Sequence, residues 1–301
     1  MPAVQTEDPK LDEAPTKSIE EILVESGELA ALPQVILKLI DLTADPKVCA
    51  ADVERVIQTD QAVTARVLTL ANSSYYGLPR RISSVREAVV FLGFKSVRSL
   101  AMAVTAFNMF LGKSDNASLT RRDLWKHSLN TALCTRVIYK SLKPTEASKV
   151  DPDEAFTAAL LHDMGKMALE TALPQQFESA IQAARKSGFR MHDIECDFLP
   201  FSHAVIGSAM ADRWSLPESL CDTVLNHHTQ LDSQVSAEAT AGVALADEIA
   251  QGLFDNVSLP EDKEGPEAVS NAATILKFSS DEITAINDAC KIEIEKGVAL
   301  S

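Results

Sequence analysis

Six histidines are spread over 301 residues, and five of them stand where their chemistry needs an explanation. His127 lies in Leu124-Trp125-Lys126-His127-Ser128, at the start of an apolar helical stretch. His162 and Asp163 lie inside Ala158-Ala159-Leu160-Leu161-His162-Asp163-Met164-Gly165-Lys166, which reads as one helix, apolar on nearly every side. An ionised Asp on such a helix is costly to bury unless it is paired or metal-bound. His203 follows Pro200-Phe201-Ser202 at a predicted helix N-terminus, and His227-His228 close the segment 220–228. Asp247 is a second carboxylate in an apolar stripe, on the same helical face as Val243 and Ala250. His192, isolated in Met191-His192-Asp193, reads as an ordinary hydrogen-bonded histidine.

Imidazole together with carboxylate suits a transition metal such as Fe, Mn or Zn. Adjacent His and Asp on a helix point about 100° apart, so they reach a common ion only if other helices bring partners round it. Those partners stand on four other segments. Two ions could share Asp163 as a bridge at roughly 3.5–4 Å separation. The plainer reading makes each residue a satisfied core group. The order along the chain outweighs it: His, then His-Asp, then His, then His-His, then Asp.

The elements that must position these groups are helices. Leu32, Val35, Ile36, Leu39 and Ile40 follow the i, i+3, i+4, i+7 pattern, with Pro33 suited to a first helical turn. Ala62, Val63, Arg66, Val67, Leu70 and Ala71 repeat it, as do Val85, Ala88, Val89 and Leu92 before Gly93. Alternating β-branched runs are nearly absent, which predicts an all-α protein of about a dozen helices. Residues 1–17 read as a disordered leader. The polar stretch Gly112–Thr120 separates an N-terminal helical subdomain (18–113) from a helical core (114–255), and Asn256–Glu264 precedes two tail helices within 256–301.

Composition narrows the partners. The net charge of −15 argues against a general binder of nucleic acid. Its distribution is uneven: residues 1–60 carry thirteen acidic and five basic residues, 61–113 one acidic and seven basic, and 114–301 twenty-nine acidic and sixteen basic. The basic stretch is expected to face an acidic partner or another acidic region of the same chain. Tyr75 and Tyr76 beside Arg80 and Arg81 could offer a stacking platform for nucleic acid, although a core tyrosine pair beside a solvated turn explains them more simply. Five cysteines without a Cys-x-x-Cys pair exclude a zinc ribbon or thioredoxin-like motif and suggest reduced thiols. The most apolar stretch, 100–111, is too short to cross a bilayer, and a soluble cytoplasmic protein is expected.

The ordered motifs resemble the HD superfamily of metal-dependent phosphohydrolases, and most strongly its HDOD branch, the hydrolase-related output domain. The N-terminal half carries the HDOD pattern in Leu32-Pro33, in 59–68, in Leu70-Ala71-Asn72-Ser73-Ser74-Tyr75-Tyr76-Gly77, in Ile82-Ser83-Ser84-Val85 and in Leu92-Gly93. The C-terminal half matches through 160–166, His203-Ala204-Val205-Ile206-Gly207, Trp214-Ser215-Leu216-Pro217, His227-His228 and Ala246-Asp247. The resemblance implies an N-terminal helical subdomain packed on an HD-type core. It implies that His127, His162, Asp163 and Asp247 hold one metal, and that Asp163, His203, His227 and His228 face a second. Lys166 matches the lysine of the superfamily's His-Asp-x-Gly-Lys motif, where it can contact phosphate or assist proton transfer. The Gly-Tyr-Pro signature of related phosphodiesterases does not follow His228, so cyclic-di-GMP hydrolysis is not implied. Two readings follow: a regulatory signal-transduction module that binds a protein partner and keeps a metal site, or an active metal-dependent phosphohydrolase acting on a nucleotide, with Asp163 and Lys166 catalytic.

Overall fold

In the computed structural model, described for residues 17–27, 34–45, 47–72, 76–110, 121–143, 150–229, 233, 235–254 and 267–297, every regular element is a helix. The first six are α1 (Ile19–Glu25), α2 (Gln34–Ala44), α3 (Ala50–Ile57), α4 (Gln61–Ala71), α5 (Val85–Leu92) and α6 (Phe94–Phe110). Then follow α7 (Arg121–Ser141), α8 (Pro152–Leu161), α9 (Met164–Ala172), α10 (Pro174–Ser187), α11 (Met191–Ile194) and a 3-10 turn (Glu195–Asp197). The last five are α12 (His203–Arg213), α13 (Glu218–Asn226), α14 (Ala237–Phe254), α15 (Glu267–Leu276) and α16 (Ser280–Gly297). Among the described residues the sixteen α-helices exceed the dozen expected because several breaks leave no polar gap in the sequence. Gly93, at φ 86°, separates α5 from α6, and Leu173, at φ −137°, separates α9 from α10. All of the predicted leader but Lys17, together with Pro33 and the polar stretches 112–120 and 256–264, lies outside the described residues.

Local chemistry sets the helix starts. Ser84 caps α5 by accepting from the Glu87 amide at 3.1 Å. Asp151 caps α8 by accepting from the Asp153 and Glu154 amides, and Pro152 supplies a preset first turn. Helices α2 to α6 pack together, and α6 lies against α8; α7 packs on α8, α14 and α16, while α9 crosses α12. Leu133, Ile138, Leu160, Phe177 and Val243 are buried in the apolar core. Full burial of such a side chain contributes about 1.5–3 kcal/mol.

The contact between α6 and α8 is polar and specific. Lys95 pairs with Asp151. The Ser96 hydroxyl lies 3.2 Å from Asp153 Oδ2, and that of Ser99 donates to the Asp153 carbonyl at 3.0 Å. Arg136 on α7 reaches Asp153 at 3.4 Å while its guanidinium lies over the rings of Phe156 (4.3 Å) and Tyr76 (5.3 Å). Tyr76 is therefore engaged with the protein's own cation. The basic stretch also meets acidic parts of its own chain: Arg86 pairs with Glu54 at 2.9 Å, Arg80 with Glu87 at 2.7 Å, and Lys95 with Asp151. Among the described residues no helix is long and apolar enough to cross a membrane.

Candidate metal centre

Five separate elements deliver the seven predicted metal-site residues to one buried region. His127 comes from the second turn of α7, Asp247 from the middle of α14, and His203 is the first residue of α12. Ser202 fixes that start by accepting from the Val205 amide at 3.3 Å. His227 and His228 follow the end of α13. His162 and Asp163 do not lie inside one helix, as their apolar surroundings suggested. They form a break between α8 and α9, where Asp163 takes non-helical backbone angles (φ −98°, ψ 4°). The break is tertiary in origin: Gly165 lies against the His203 carbonyl and the Gly207 amide, which fixes where α9 begins.

The ligand-type atoms form three overlapping groups: His127, His162 and Asp247; His162, Asp163 and His227; and His203, His227 and His228. Within each group they lie within 4.8 Å of one another. Asp163 stands between the outer two. Its Oδ2 is 3.5 Å from His127 Nε2 and 3.4 Å from His162 Nε2, whereas Oδ1 is 3.2 Å from His203 Nε2. Asp247 Oδ1 lies 2.9 Å from His127 Nε2 and 3.7 Å from His162 Nε2. His162, Asp163, His203 and His227 are each at most 1% exposed.

The hydrogen bonds around the rings test whether a cation fits. His162 Nδ1 lies 2.6 Å from the Ala159 carbonyl oxygen, and His227 Nδ1 lies 2.7 Å from that of Val224. A carbonyl only accepts, so each Nδ1 carries a proton, and in the neutral ring Nε2 is a bare lone pair. Those lone pairs face other ring nitrogens: His127 Nε2 and His162 Nε2 are 3.3 Å apart, and His203 Nε2 is 3.3 Å from His227 Nε2 and 3.1 Å from His228 Nε2. With two carboxylates among them, the cluster has more lone pairs than protons. Such a donor set fits one or two divalent transition-metal ions, with the His162 and His227 rings oriented from behind by carbonyls.

Electrostatics agree with that fit. Burial raises the Asp163 carboxyl, but the Lys166 ammonium 2.7 Å away helps to bring it well below the ordinary range. Burial likewise raises Asp247, and His127 outweighs it, so this carboxyl too ends low. Burial and the neighbouring imidazoles push His227 and His228 well below the ordinary histidine value, which leaves them neutral at pH 7. Lys166 is not a solvated helix-end lysine. Its ammonium is 2.7 Å from Asp163 Oδ2, and although burial lowers its pKa, Asp163 raises it further.

The sequence reading passed over Glu195 and placed His192 outside this region. Glu195, fully buried in the 3-10 turn, accepts from the His203 backbone amide at 3.1 Å and lies 2.8 Å from its Nδ1. His192 is not an isolated histidine: its ring stacks on that of His228, centroids 3.9 Å apart and planes 11° from parallel. Neither carried a periodic or motif signal. The only hint was an acidic residue eight positions before a capped histidine.

The arrangement has relatives. The profile of the HDOD domain matches residues 29–230. The chain belongs to the HDOD family. Its fold is shared with an HDOD domain protein of unknown function from Geobacter sulfurreducens, at 28% identity and a TM-score of 0.73, covering 93% of this chain and 98% of that one. A candidate phosphohydrolase from Shewanella amazonensis SB2B has the same fold at 22% identity and a TM-score of 0.69, covering 93% of this chain and 98% of that one. So has a candidate signal transduction protein from Marinobacter aquaeolei VT8, at 20% identity and a TM-score of 0.74, covering 95% of this chain and 62% of that one. An uncharacterized protein of Treponema pallidum (strain Nichols) is 25% identical over 213 residues, which are 71% of this chain and 40% of that protein. The chain thus spans well under half the length of that curated relative.

Proposed function

We propose that this HDOD protein is a regulatory signal-transduction module that holds one or two Fe, Mn or Zn ions and passes the state of that centre to a protein partner. His127, His162, Asp163 and Asp247 would hold one ion, and Asp163, His203, His227 and His228 the other. The observation that carries the reading is the convergence of imidazole nitrogens on one buried region, with the Nδ1 protons of His162 and His227 committed to carbonyls behind them. Helix α8 supplies the link to signalling. Its first turn is gripped by Lys95, Ser96 and Ser99 of α6, and the His162-Asp163 break directly follows its last residue. A change at the ions and a change among the N-terminal helices therefore act on the same ten-residue rod, about 15 Å long.

Element analysis of untagged protein purified without chelator tests the metal half of the proposal: about one or two ions per chain are expected, and their absence would sink it. Hydrogen exchange with and without metal tests the regulatory half. Changed protection in 94–104 is expected; protection changes confined to the ligand residues would leave no route to a partner.

A second reading, metal-dependent hydrolysis of a nucleotide phosphoester, is favoured by Lys166 beside Asp163. A bound divalent ion would lower the pKa of water and neutralise phosphoryl charge. Lys166 would orient the Asp163 carboxylate and meet a phosphate oxygen. Turnover of bis(p-nitrophenyl) phosphate that vanishes in Asp163→Ala would establish it, and equal rates in the two proteins would reveal a contaminant.

A further inference from the structure

We propose that Glu195 is a positioning residue for the second ion: its buried carboxylate holds the His203 ring from behind, so that Nε2 faces Asp163, His227 and His228. The proposal rests on the metal reading above and adds a residue that the ligand set does not contain.

Glu195 is 0% exposed, and an ionised carboxylate there is costly to bury unless its lone pairs are taken up. His203 takes them up twice. Its backbone amide donates to Oε1 at 3.1 Å, and its Nδ1 lies 2.9 Å from Oε1 and 2.8 Å from Oε2. Because a carboxylate only accepts, Nδ1 keeps a proton and Nε2 is the atom left for an ion. His203 also differs from its neighbours. His162 and His227 are oriented by carbonyls three residues earlier in their own chain segments. His203 opens α12 and meets a side chain instead, one that adds negative charge behind the ring and strengthens it as a donor.

The segment bearing Glu195 is itself tied to the centre. Arg190 pairs with Glu248, the residue after Asp247 on α14. His192 stacks on His228. The Leu199 amide donates to the Glu195 carbonyl at 2.8 Å. Between 190 and 195, three side chains thus reach three elements that carry candidate ligands. A segment with only a packing role would not need to address each of them.

The test is Glu195→Gln, which keeps shape and an acceptor and removes the charge. Metal-free full-length protein is titrated with Mn2+, with bound ion followed by paramagnetic resonance and the metal-free melting temperature measured alongside. In the wild type two ions are expected to bind; a single bound ion would overturn this proposal while leaving the metal reading standing. In Glu195→Gln one of the two binds about 10–100-fold more weakly, the other stays within threefold, and Glu195→Asp, which restores the charge, recovers part of the loss. Two ions bound at wild-type affinity in Glu195→Gln would overturn the proposal, as would an equal weakening of both. A wild type that takes up no ion would overturn the metal reading itself, which is a different result. If Glu195→Gln yields no soluble protein, proton–nitrogen correlation spectra of the Zn2+-loaded wild type decide. His203 ligated through Nε2 with a proton on Nδ1 supports the role, and ligation through Nδ1, or none, removes it.

Discussion

Gly165→Ala should damage the centre although Gly165 offers no ligand. A methyl group there would stand 2.7 Å from the Gly207 amide nitrogen and 2.9 Å from the His203 carbonyl carbon, with the His203 carbonyl oxygen nearer still. Ordinary contact begins near 3.4 Å, so relieving the carbonyl-oxygen overlap needs a shift between α9 and α12 of about 1.4 Å. All three neighbours are backbone, so no rotamer change relieves the overlap. Overpacking of this kind costs about 1–3 kcal/mol, and this case belongs at the upper end. Better helix propensity returns about 1 kcal/mol, leaving a net loss of about 2 kcal/mol. For a chain of 301 residues that is about 3 °C in melting temperature. The same displacement moves His203 from Asp163 by more than the roughly 0.2 Å tolerance of a metal site, so affinity at the second ion should fall at least tenfold. Gly207→Ala is the control. Its methyl would meet the Val224 side chain at 3.1 Å and the Gly165 amide nitrogen at 3.4 Å, which a small side-chain shift accommodates. Thermal melts and Mn2+ titrations of both variants decide the matter. If Gly165→Ala melts within 1 °C of wild type and binds ions equally well, or if Gly207→Ala is the worse of the two, the packing argument is wrong.

Three other outcomes are expected. In EDTA, the folded protein holds His227 and His228 neutral well below their ordinary value while the unfolded chain protonates them near pH 6.5, so stability falls as pH drops below about 6.5. The loss is up to about 1.4 kcal/mol per pH unit for each, opposed by His203, whose raised pKa has the reverse effect; a urea midpoint that rises between pH 7.5 and 5.5 would contradict this. Saturating the metal-free protein with its preferred ion at about 100 times the dissociation constant should add about 2.7 kcal/mol to unfolding, read as a higher melting temperature, and an unmoved melt would count against binding to the native state. Arg136→Ala removes a cation lying over Phe156 and Tyr76 and frees a partner of Asp153, so it should destabilise by about 2–3 kcal/mol in urea while leaving ion stoichiometry intact; a change below about 0.5 kcal/mol would show that the α6–α8 contact does not depend on it.

His203 was legible because it combines a reactive residue type with a helix boundary that sequence can mark. Ser202 announces the N-terminus at His203, and the spacing from Val243 through Asp247 to Ala250 shows a carboxylate on a buried stripe. The break at His162-Asp163 was not legible, since Leu160, Leu161, Met164 and Lys166 all favour a continuous helix. It is set by what α9 meets, the backbone of α12 across Gly165, and that partner lies some forty residues away. Glu195 and His192 were hidden for a related reason: their partners are defined in space, and a 3-10 turn and a four-residue helix are too short to display a period. The break also does what an unbroken helix could not. Helical neighbours diverge by about 100°, which would aim Asp163 away from whatever His162 faces. Interrupting the helix turns the carboxylate so that one oxygen lies toward His127 and His162 and the other toward His203. Local helix preference is overridden where the proposed shared ligand, Asp163, needs it to be, and the glycine that permits the close crossing stands two residues later.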